Sequence, residues 1–597
     1  MYASTPVLPS DPRRCTEHGF ATHDDVPLFY RHWPAQGGAS TGAIVLIHRG
    51  HEHSGRMAHL ADELGLPDLD VFAYDMRGHG RSPGARGDSP SFATSVRDLQ
   101  TFVDHIATVH GANVADVVVV AQSVGAVLAS SWAHDYAPKI RGLVLASPAF
   151  KVKLYVPFAR PGLALMRGLR GNFFVNSYVK AKFLTHDPER IASYESDPLI
   201  SRPISVNILL GLYEAADRVV ADAAAITLPV QLLMSGSDWV VHHAPQHAFF
   251  ERLGSARKEK HLLPGFFHDT LGERDRKLAT DKIRSFVRGL FENPPAPVSL
   301  RDAHRTGFTA DESRALGQPL PWYTPRGAYW ALTRASLKLG GLLSHGIALG
   351  HATGFDSGST LDYVYRDQAQ GVPLIGTMID RTYLDSIGWR GIRVRKTHVE
   401  ELLRKAFARV SARGLPLRVM DVAAGHGRYV LDAIAANSEK DNAKPASILL
   451  RDYSDINVRD GRALIAERGL GDIAQFVQGD AFDRDDLAKV SPAPTVAVVS
   501  GLYELFPDND QVAASLAGIA AAVPPGGCLV YTGQPWHPQL ELIARALTSH
   551  RQGQAWVMRR RTQAEMDQLV EAAGFRKLEQ RIDAFGIFTV SLAVREG

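Results

Sequence analysis

The chain has 597 residues, of which 45% are hydrophobic and 22% are charged, so a chain disordered throughout is excluded. The 66 lysines and arginines nearly balance 63 acidic residues, which argues against a dedicated nucleic-acid binder, and two cysteines, Cys15 and Cys528, exclude a disulfide framework. Because the N-terminus lacks the apolar core of a secretory signal and no long apolar run predicts a membrane-spanning helix, we expect a cytoplasmic, multidomain enzyme.

The first 292 residues predict one α/β domain. Apolar runs typical of strands buried on both faces of a parallel sheet lie at 43–47, 71–74, 117–121, 143–146 and 230–234. Residues 149–228 interrupt the alternation of strands and helices, and we interpret them as a helical cap over the sheet. The prolines of NPPAP (293–297) cannot continue a helix, so 293–330 is predicted to be a linker.

Residues 331–597 predict a second α/β domain with a helical extension at its N-terminus. Its strand candidates lie at 417–423, 446–453, 474–479, 495–501 and 527–533. No internal repeat relates the two halves, so the sequence favours a fusion of unlike domains over a duplication.

A candidate nucleophile lies between the strand VVVVA and a helical stretch. Ser123 has the small residues Ala121 and Gly125 two positions to either side, as a tight strand–turn–helix junction requires. Asp238 follows the strand at 230–234, and His268 follows a further short strand. The chain order Ser, Asp, His predicts a catalytic triad in which the serine attacks an acyl carbon, the histidine transfers the proton and the aspartate orients the histidine.

Two further motifs give this half a family resemblance. HRGHEHSGR (48–56) and DMRGHGRS (75–82), with the triad order, resemble the monoacylglycerol lipase and lysophospholipase group of α/β-hydrolases. The resemblance covers about residues 20–290 and implies an α/β-hydrolase fold acting on lipid-like esters. It also implies that the N–H groups of Val124 and Gly50 form the oxyanion hole. Arg49 and His51 replace glycines of the group's usual motif, which leaves the substrate class open.

The start of the predicted cap is basic and apolar. Five cationic side chains are interleaved with apolar ones: Lys151, Lys153, Arg160, Arg167 and Arg170. Such a segment suits an anionic lipid surface, and in the resembling group it covers the acyl tunnel and contacts membranes. Peripheral contact at the inner face of the membrane is therefore one interpretation. The alternative is a cap helix packed on its own sheet with solvated basic residues.

The second half carries a glycine loop after its first strand. Asp421 is followed by Ala423, Gly425 and Gly427, but Val430 occupies the third glycine position of a dinucleotide fingerprint, which disfavours NAD. The pattern resembles motif I of class I S-adenosylmethionine (SAM) methyltransferases, which have a Rossmann-like fold. The resemblance implies that the acid faces the methionine ammonium and that the loop receives the aminoacyl part.

Later strand ends supply the remaining landmarks of that resemblance. Asp452 follows the second strand and is predicted to bind the ribose hydroxyls, and Asp480 with Ala481 is predicted to contact the adenine. Tyr503 and Glu504 follow the fourth strand, where substrate and methyl group should meet, so they are candidates for the acceptor site. With the strings GFDSGSTLDYVYRDQ (354–368), IDRTYLDSIGWRGIR (379–393) and AWVMRRRT (555–562), this half resembles a bacterial methyltransferase family often fused to a hydrolase. These strings are expected to build the acceptor pocket and cover the cofactor.

The sequence therefore predicts a bifunctional enzyme of lipid metabolism, with SAM as cofactor, small-molecule or lipid substrates, no nucleic-acid partner and no metal site. Two alternatives remain open at this stage. The hydrolase acts on peptides or small esters, or one half is a silent membrane-docking or regulatory module. The run Arg559–Arg561 is either an anion site or a solvated face.

Overall fold

The structure, a computed structural model, describes residues 12–177, 179–438, 445–551 and 553–597. It separates into two compact units, Met1–Val298 and Ser299–Gly597. In the described residues no helix is both long and apolar enough to cross a bilayer.

Eight strands form the main sheet of the first unit, and a short two-stranded antiparallel sheet belongs to the insertion. The strands are β1 (Thr16–Ala21), β2 (Pro27–Trp33), β3 (Ala43–Ile47), β4 (Asp70–Tyr74), β5 (Val117–Gln122), β6 (Gly142–Ala146), β7 (Phe174–Asn176), β8 (Pro203–Ser205), β9 (Val230–Ser235) and β10 (Lys258–Leu263). The main sheet has the order β1-β2-β4-β3-β5-β6-β9-β10. From β4 to β10 the neighbours are parallel, so their carboxyl ends share one edge.

Helices cover the sheet of the first unit, and some of them form the insertion between β6 and β9. The helices are α1 (Leu60–Glu63), α2 (Phe92–Val109), α3 (Val124–Tyr136), α4 (Ala159–Arg170), α5 (Pro188–Ser196), α6 (Val206–Ala221), α7 (His243–Arg252) and α8 (Lys277–Glu292). Helices α4 to α6 and the short β7–β8 sheet lie within the segment predicted to be a cap. The central strands are fully buried because they consist of β-branched and other apolar residues.

The second unit is built on a seven-stranded sheet. Its strands are β11 (Arg418–Val422), β12 (Ser447–Asp452), β13 (Ala474–Gln478), β14 (Val496–Val499), β15 (Cys528–Gly533), β16 (Phe575–Ile582) and β17 (Thr589–Arg595). The order is β13-β12-β11-β14-β15-β17-β16. Strand β17 pairs antiparallel with both of its neighbours, β15 and β16, and the other neighbouring strands are parallel. The direction of the strand order reverses between β11 and β14, which is where ligands bind in sheets of this type.

Helices precede and flank this second sheet. They are α9 (Ala303–Thr306), α10 (Phe308–Gly317), α11 (Pro325–Gly341), α12 (His345–Thr353), α13 (Gly358–Arg366), α14 (Ile375–Leu384), α15 (Ile387–Ala412), α16 (Arg428–Ser438), α17 (Asp455–Glu467), α18 (Arg484–Ala488), α19 (Asn509–Ala522), α20 (Leu540–Ala546) and α21 (Gln563–Ala572).

The structure corrects part of the predicted linker 293–330. Two helices, α9 and α10, occupy residues 303–317, and they pack within the second unit. The hydroxyl of Thr309 accepts a hydrogen bond from Arg559 Nη1 (2.8 Å), and Glu312 pairs with Arg560. The polar composition of this segment resembled that of a linker. Its polar side chains pair with residues about 250 positions further along the chain, which the local sequence does not reveal.

Candidate functional site

Ser123 lies on a strained turn between β5 and α3. Its φ of 55° is in the left-handed region, which a non-glycine residue adopts only when its surroundings require it. A Cβ on Gly125 would come within 2.4 Å of the His48 carbonyl oxygen, so this position has room only for glycine. Ala121, by contrast, is accommodated at the end of β5. The turn therefore presents the Ser123 hydroxyl at the carboxyl edge of the sheet, as a nucleophile elbow does.

The predicted triad residues form a continuous hydrogen-bonded chain. His268 Nε2 lies 2.7 Å from Ser123 Oγ, and its Nδ1 lies 2.8 Å from Asp238 Oδ2. The other carboxylate oxygen of Asp238 accepts the N–H groups of Val240 (2.7 Å) and Val241 (2.9 Å). Burial raises the pKa of Asp238, but His268 and these N–H groups outweigh it, so the net pKa is below the ordinary value. The aspartate is thus held ionised and oriented toward the imidazole.

Two backbone N–H groups lie beside the serine. A Cβ built on Gly50 would contact Val124 Cγ2 at 3.1 Å, so the loop after β3 and the first residue of α3 are neighbours. Neither N–H donates a hydrogen bond to a residue that the structure describes. The two residues predicted to form the oxyanion hole are therefore neighbours, and the hole itself stays a prediction.

Arg49 is engaged inside the hydrolase unit. Its Nη2 donates to Glu52 Oε1 (2.7 Å), and its guanidinium lies over the ring of Tyr194 on α5, 5.2 Å from the centroid. Its Nε is 3.9 Å from Asp269. Because these acids neutralise the buried cation, the structure does not support Arg49 as a receptor for an anionic head group. Instead it connects the loop after β3 to the cap.

The second candidate site surrounds Asp421 at the end of β11. This carboxylate is fully buried, and neither oxygen makes a well-formed hydrogen bond within the described part of the chain. Burial raises its pKa to about 8, opposed in part by the nearby Tyr429 hydroxyl. An uncompensated buried acid is costly, so a cation that reached it would be stabilised.

The glycine loop beside Asp421 adopts left-handed backbone conformations at three positions. Ala423, Gly425 and Gly427 all have positive φ, at 65°, 59° and 76°. A Cβ on Gly427 would meet Leu450 Cδ1 at 2.4 Å, so this glycine is needed for packing against β12. The loop thus turns tightly at the carboxyl edge, where the sequence analysis placed it.

Asp452 and Asp480 lie at the next two strand ends but differ in burial and in hydrogen bonding. Asp452 is buried, and its carboxylate accepts hydrogen bonds from Gly425 N (2.9 Å), Ser454 N (2.9 Å) and Asn457 Nδ2 (3.0 Å). Asp480 is exposed, and its Oδ1 accepts from Phe482 N at 2.9 Å. Ala481, beside it, is buried. Asp452 therefore also builds the loop, a role that the sequence did not indicate.

Helix α13 covers the glycine loop. The Cβ position of Gly425 is 3.6 Å from Gly358 Cα, and Asp362 accepts a hydrogen bond from Arg428 Nε at 2.5 Å. Burial raises the pKa of Asp362, but His426 and Arg428 hold it well below the ordinary value. This helix lies within the string GFDSGSTLDYVYRDQ (354–368), which the family resemblance led us to expect over the cofactor and around the acceptor pocket.

A cavity of about 420 Å³ lies next to this site, and we call it the acceptor cavity. Glu504 and Arg395 line it, and both are almost completely buried. Glu504 Oε1 accepts from Arg395 Nη1 at 3.2 Å, while Oε2 has no partner in the described residues. Tyr503 does not line the cavity, because its hydroxyl contacts Ser515 Oγ (3.0 Å) in the core. The prediction of Tyr503 as an acceptor-site residue is therefore corrected.

The run Arg559–Arg561 is neither an anion site nor a solvated face. Arg559 Nη2 donates to Glu565 Oε1 (2.5 Å) and Asn509 Oδ1 (2.7 Å), and Arg561 Nη1 donates to the Tyr503 carbonyl (2.5 Å). All three guanidinium groups are buried and paired with acids, amides or carbonyls of the second unit. They act as internal cross-links.

Comparisons with known proteins match a family to each half of the chain. The family model described as "Putative methyltransferase" matches residues 283–595, and the model described as "Serine aminopeptidase, S33" matches residues 38–275. Over 580 residues the chain is 57% identical to "Uncharacterized protein YnbC" of Escherichia coli (strain K12), covering 97% of this chain and 98% of the relative. Over 278 residues it is 27% identical to a "Monoacylglycerol lipase" of Mycolicibacterium smegmatis, covering 46% of this chain and 96% of the relative.

Among solved structures, the monoacylglycerol lipase of Paleococcus ferrophilus aligns with a TM-score of 0.40 and 23% identity, over 44% of this chain and 99% of that one. The predicted fold class is confirmed by the two family models and by the strand orders of the two sheets: the N-terminal half is an α/β-hydrolase, and the C-terminal half is Rossmann-like. The chain therefore belongs to this methyltransferase family, and it joins such a domain to a hydrolase domain related to the monoglyceride lipases.

Proposed function

We propose that the first unit is a serine hydrolase of lipid-like esters, and the hydrogen-bonded chain of Ser123, His268 and Asp238 is the observation that carries this proposal. Ser123 Oγ attacks the acyl carbon while His268 Nε2 takes its proton. The N–H groups of Gly50 and Val124 stabilise the oxyanion. His268 then protonates the leaving alcohol, and water releases the acyl group by the same steps.

Labelling by a fluorophosphonate probe tests this assignment. We expect the probe to label the wild type and Ser130→Ala, but not Ser123→Ala. Ser130 is the control because it lies on α3 and its hydroxyl donates to the Ala126 carbonyl. Labelling of Ser123→Ala at the wild-type rate would contradict the proposal.

Lipid-like esters are the substrates favoured by the relationship to monoglyceride lipases, while the S33 model keeps peptides and small esters as the second candidate. Nitrophenyl esters of increasing chain length distinguish them. We expect kcat/KM to rise from acetate to decanoate. A preference for acetate or for an aminoacyl amide would favour the alternative.

We further propose that the cap contacts a membrane surface. Helix α4 and the turn before it expose Phe158 (85%), Leu165 (65%) and Leu169 (74%), and basic side chains accompany them. Exposed apolar side chains with cationic neighbours suit an anionic bilayer. In sedimentation with phosphatidylglycerol vesicles, Leu165→Asp/Leu169→Asp should bind less than the wild type. Leu278→Asp, which changes an exposed leucine on α8, should bind equally well.

For the second unit we propose SAM-dependent methyl transfer. When bound, SAM supplies an electrophilic methyl group on a sulfonium centre. The residues present fit this cofactor, because the unpartnered buried carboxylate of Asp421 suits an ammonium and the exposed carboxylate of Asp480 suits an amino group. Asp452 has remaining acceptor capacity for ribose hydroxyls. Glu504 Oε2 can take a proton from the acceptor, although positioning alone also accelerates such a displacement.

Calorimetric titration with SAM tests the cofactor assignment. We expect saturable binding by the wild type that is weakened by Asp421→Ala. If the wild type hydrolyses esters but does not bind SAM, the second unit is a silent module. If the wild type binds SAM but its ester hydrolysis is no greater than that of Ser123→Ala, the first unit is the silent one.

We also propose that both units act in one lipid pathway, because each has apolar-rich surfaces suited to lipids. Incubation with labelled SAM and monoacylglycerols or lysophospholipids checks this. Label in no lipid product, with ester hydrolysis intact, would contradict the coupling.

A further inference from the structure

We propose that the acceptor cavity binds an amphiphile with one apolar chain and a head group that donates a hydrogen bond, such as a hydroxyl or an amine. This amphiphile is the methyl acceptor, an inference that rests on the methyltransferase function proposed above. The inference stands on the polar end of the cavity, on its apolar walls and on the side chains at its mouth.

The polar end lies where β14 and β15 finish. Gly501 and Glu504 follow β14, while Gln534 and His537 follow β15, and all four line the cavity. Because these strands are parallel neighbours, their carboxyl ends share one edge of the sheet. Gly501 N donates to Thr532 Oγ1 at 2.8 Å, which fixes the two strand ends together.

These polar groups select the kind of head group. Glu504 keeps one carboxylate oxygen, Oε2, without a partner in the described chain, and a buried acceptor in this state favours a donor from the ligand. His537 Nδ1 accepts from Gln539 N (3.0 Å), so in the neutral ring Nε2 carries the proton. Arg395, the cation of this wall, is already paired with Glu504 Oε1, so a carboxylate head group would face the acceptor Oε2, whereas a hydroxyl or amine would complete its hydrogen bonds.

The rest of the wall is apolar. It is formed mainly by side chains of the helical extension and of the segment after β15, including Ile347, Ile379, Trp389, Ile392, Trp556 and Phe588. A volume of about 420 Å³ is within the range of small-molecule sites and suits one chain rather than two. Burial of each additional CH₂ group of such a chain is favourable, so affinity should increase with chain length.

The mouth opens between helices α11 and α14. Ser336 on α11 and Thr382 on α14 are exposed and line the cavity. Each has exposed apolar neighbours on the same helix face, since Leu332 precedes Ser336 and Met378 precedes Thr382 by four residues. An apolar rim of this kind suits a ligand that leaves a lipid phase to enter the cavity.

The test uses 1-decanol, decanoate and 1-butanol as probes, followed by the tryptophan emission of the full chain, because Trp389 and Trp556 line the cavity. Ser336→Tyr/Thr382→Tyr narrows the mouth. The matched control is Ala335→Tyr/Thr377→Tyr, which changes exposed neighbours on the same helices that do not line the cavity. We expect decanol to bind the control variant as tightly as the wild type. It should bind the mouth variant at least tenfold more weakly. Decanoate and butanol should bind the wild type at least tenfold more weakly than decanol.

A second readout follows tritium from methyl-labelled SAM into the organic phase of a bacterial lipid extract. The mouth variant should transfer at least tenfold less label than the control, with unchanged SAM affinity in calorimetry. Equal decanol binding by both double variants, tighter binding of decanoate, or label only in water-soluble products overturns the amphiphile inference while leaving SAM binding intact. Absence of SAM binding overturns the methyltransferase function itself and, with it, the proposal that the amphiphile is the methyl acceptor.

Discussion

The two candidate sites differ in how completely the chain satisfies its own buried charges. In the hydrolase unit Asp238 accepts three hydrogen bonds, and its pKa lies below the ordinary value. In the methyltransferase unit Asp421 is equally buried but has no well-formed partner in the described residues, and its pKa is raised to about 8. The first site is assembled before substrate arrives, whereas the second is left incomplete.

This difference matches what each of the two proposed reactions needs. A serine hydrolase carries its nucleophile, base and orienting acid in the protein, so these groups are positioned against one another in the folded state. A methyltransferase of this kind takes its reactive group from a cofactor. A buried acid without a partner costs folding free energy, and a bound ammonium would recover that cost. The structure therefore predicts opposite consequences for neutralising the two acids.

The largest effect should come from Asp238→Asn. The amide cannot hold the protonated Nδ1 of His268 in the productive orientation, so kcat for ester hydrolysis should fall about 10⁴-fold. Nitrophenyl ester kinetics measure the loss. Asp217→Asn, an exposed aspartate of the same unit, serves as the control and should retain wild-type kinetics. A loss of less than tenfold for Asp238→Asn would mean that the preassembled triad is not the catalytic device.

Asp421→Asn should produce the second-largest effect, with opposite signs for stability and binding. SAM affinity should fall roughly 10- to 100-fold, because a charge-assisted contact of about 1.5–3 kcal/mol is lost. The SAM-free protein should become more stable by about 1–3 kcal/mol at pH 8, since an uncompensated buried charge is removed. Calorimetry and denaturant unfolding measure the two changes.

The matched control for Asp421 is Asp567→Asn. Asp567 is a buried acid of the same unit whose carboxylate accepts from Tyr531 (3.0 Å) and Gln563 (2.7 Å) and pairs with Lys577. Because its partners would be left unsatisfied, this variant should lose stability. Destabilisation by both substitutions would show that Asp421 is satisfied in solution.

The pH dependence of stability should separate the two acids. The folded-state pKa of Asp421, about 8, is above its ordinary value of 3.8, so the folded state holds a proton that the unfolded state has lost. Its effect on stability therefore becomes less favourable as pH rises from about 4 to about 8. Asp238, with a lowered pKa, stabilises the fold above its ordinary pKa, and this contribution is lost only on acidification.

Unfolding of the wild type and Asp421→Asn at pH 5, 6.5 and 8 checks the sign. The advantage of Asp421→Asn should grow with pH by at least about 1 kcal/mol over this interval. A constant or shrinking difference would contradict the raised pKa.

Much of both folds could be predicted because the information is local. Apolar strands, turn glycines and polar residues at strand ends are read directly from short segments, and parallel strands then bring Ser123, Asp238 and His268 to one edge. The arginine run 559–561 shows the limit. Its charges suggested a surface or an anion site, because the partners that pair with it, such as Asn509 and Glu312, are distant in sequence.

Adjacent residues can also diverge in ways that no pattern specifies. A short turn at Tyr503–Leu505 directs the hydroxyl of Tyr503 to Ser515 in the core but leaves Glu504 on the cavity wall. Both positions followed the same strand, so the sequence treated them alike. Side-chain direction in such a turn depends on packing against α19 and α15, which is a tertiary property.

The smallest effect should come from Asp480→Asn, compared with Asp452→Asn. Asp480 is exposed and accepts only a local hydrogen bond, so its substitution should change the free energy of unfolding by less than about 0.5 kcal/mol. It should weaken SAM binding by no more than about tenfold, the value of one hydrogen bond. Asp452→Asn should lower both stability and affinity, because that carboxylate also holds Gly425 N and Ser454 N. If Asp480→Asn destabilises the fold as much as Asp452→Asn does, Asp480 is also a structural residue. The distinction between acids that stabilise the loop and acids that are available to bind the cofactor would then be wrong.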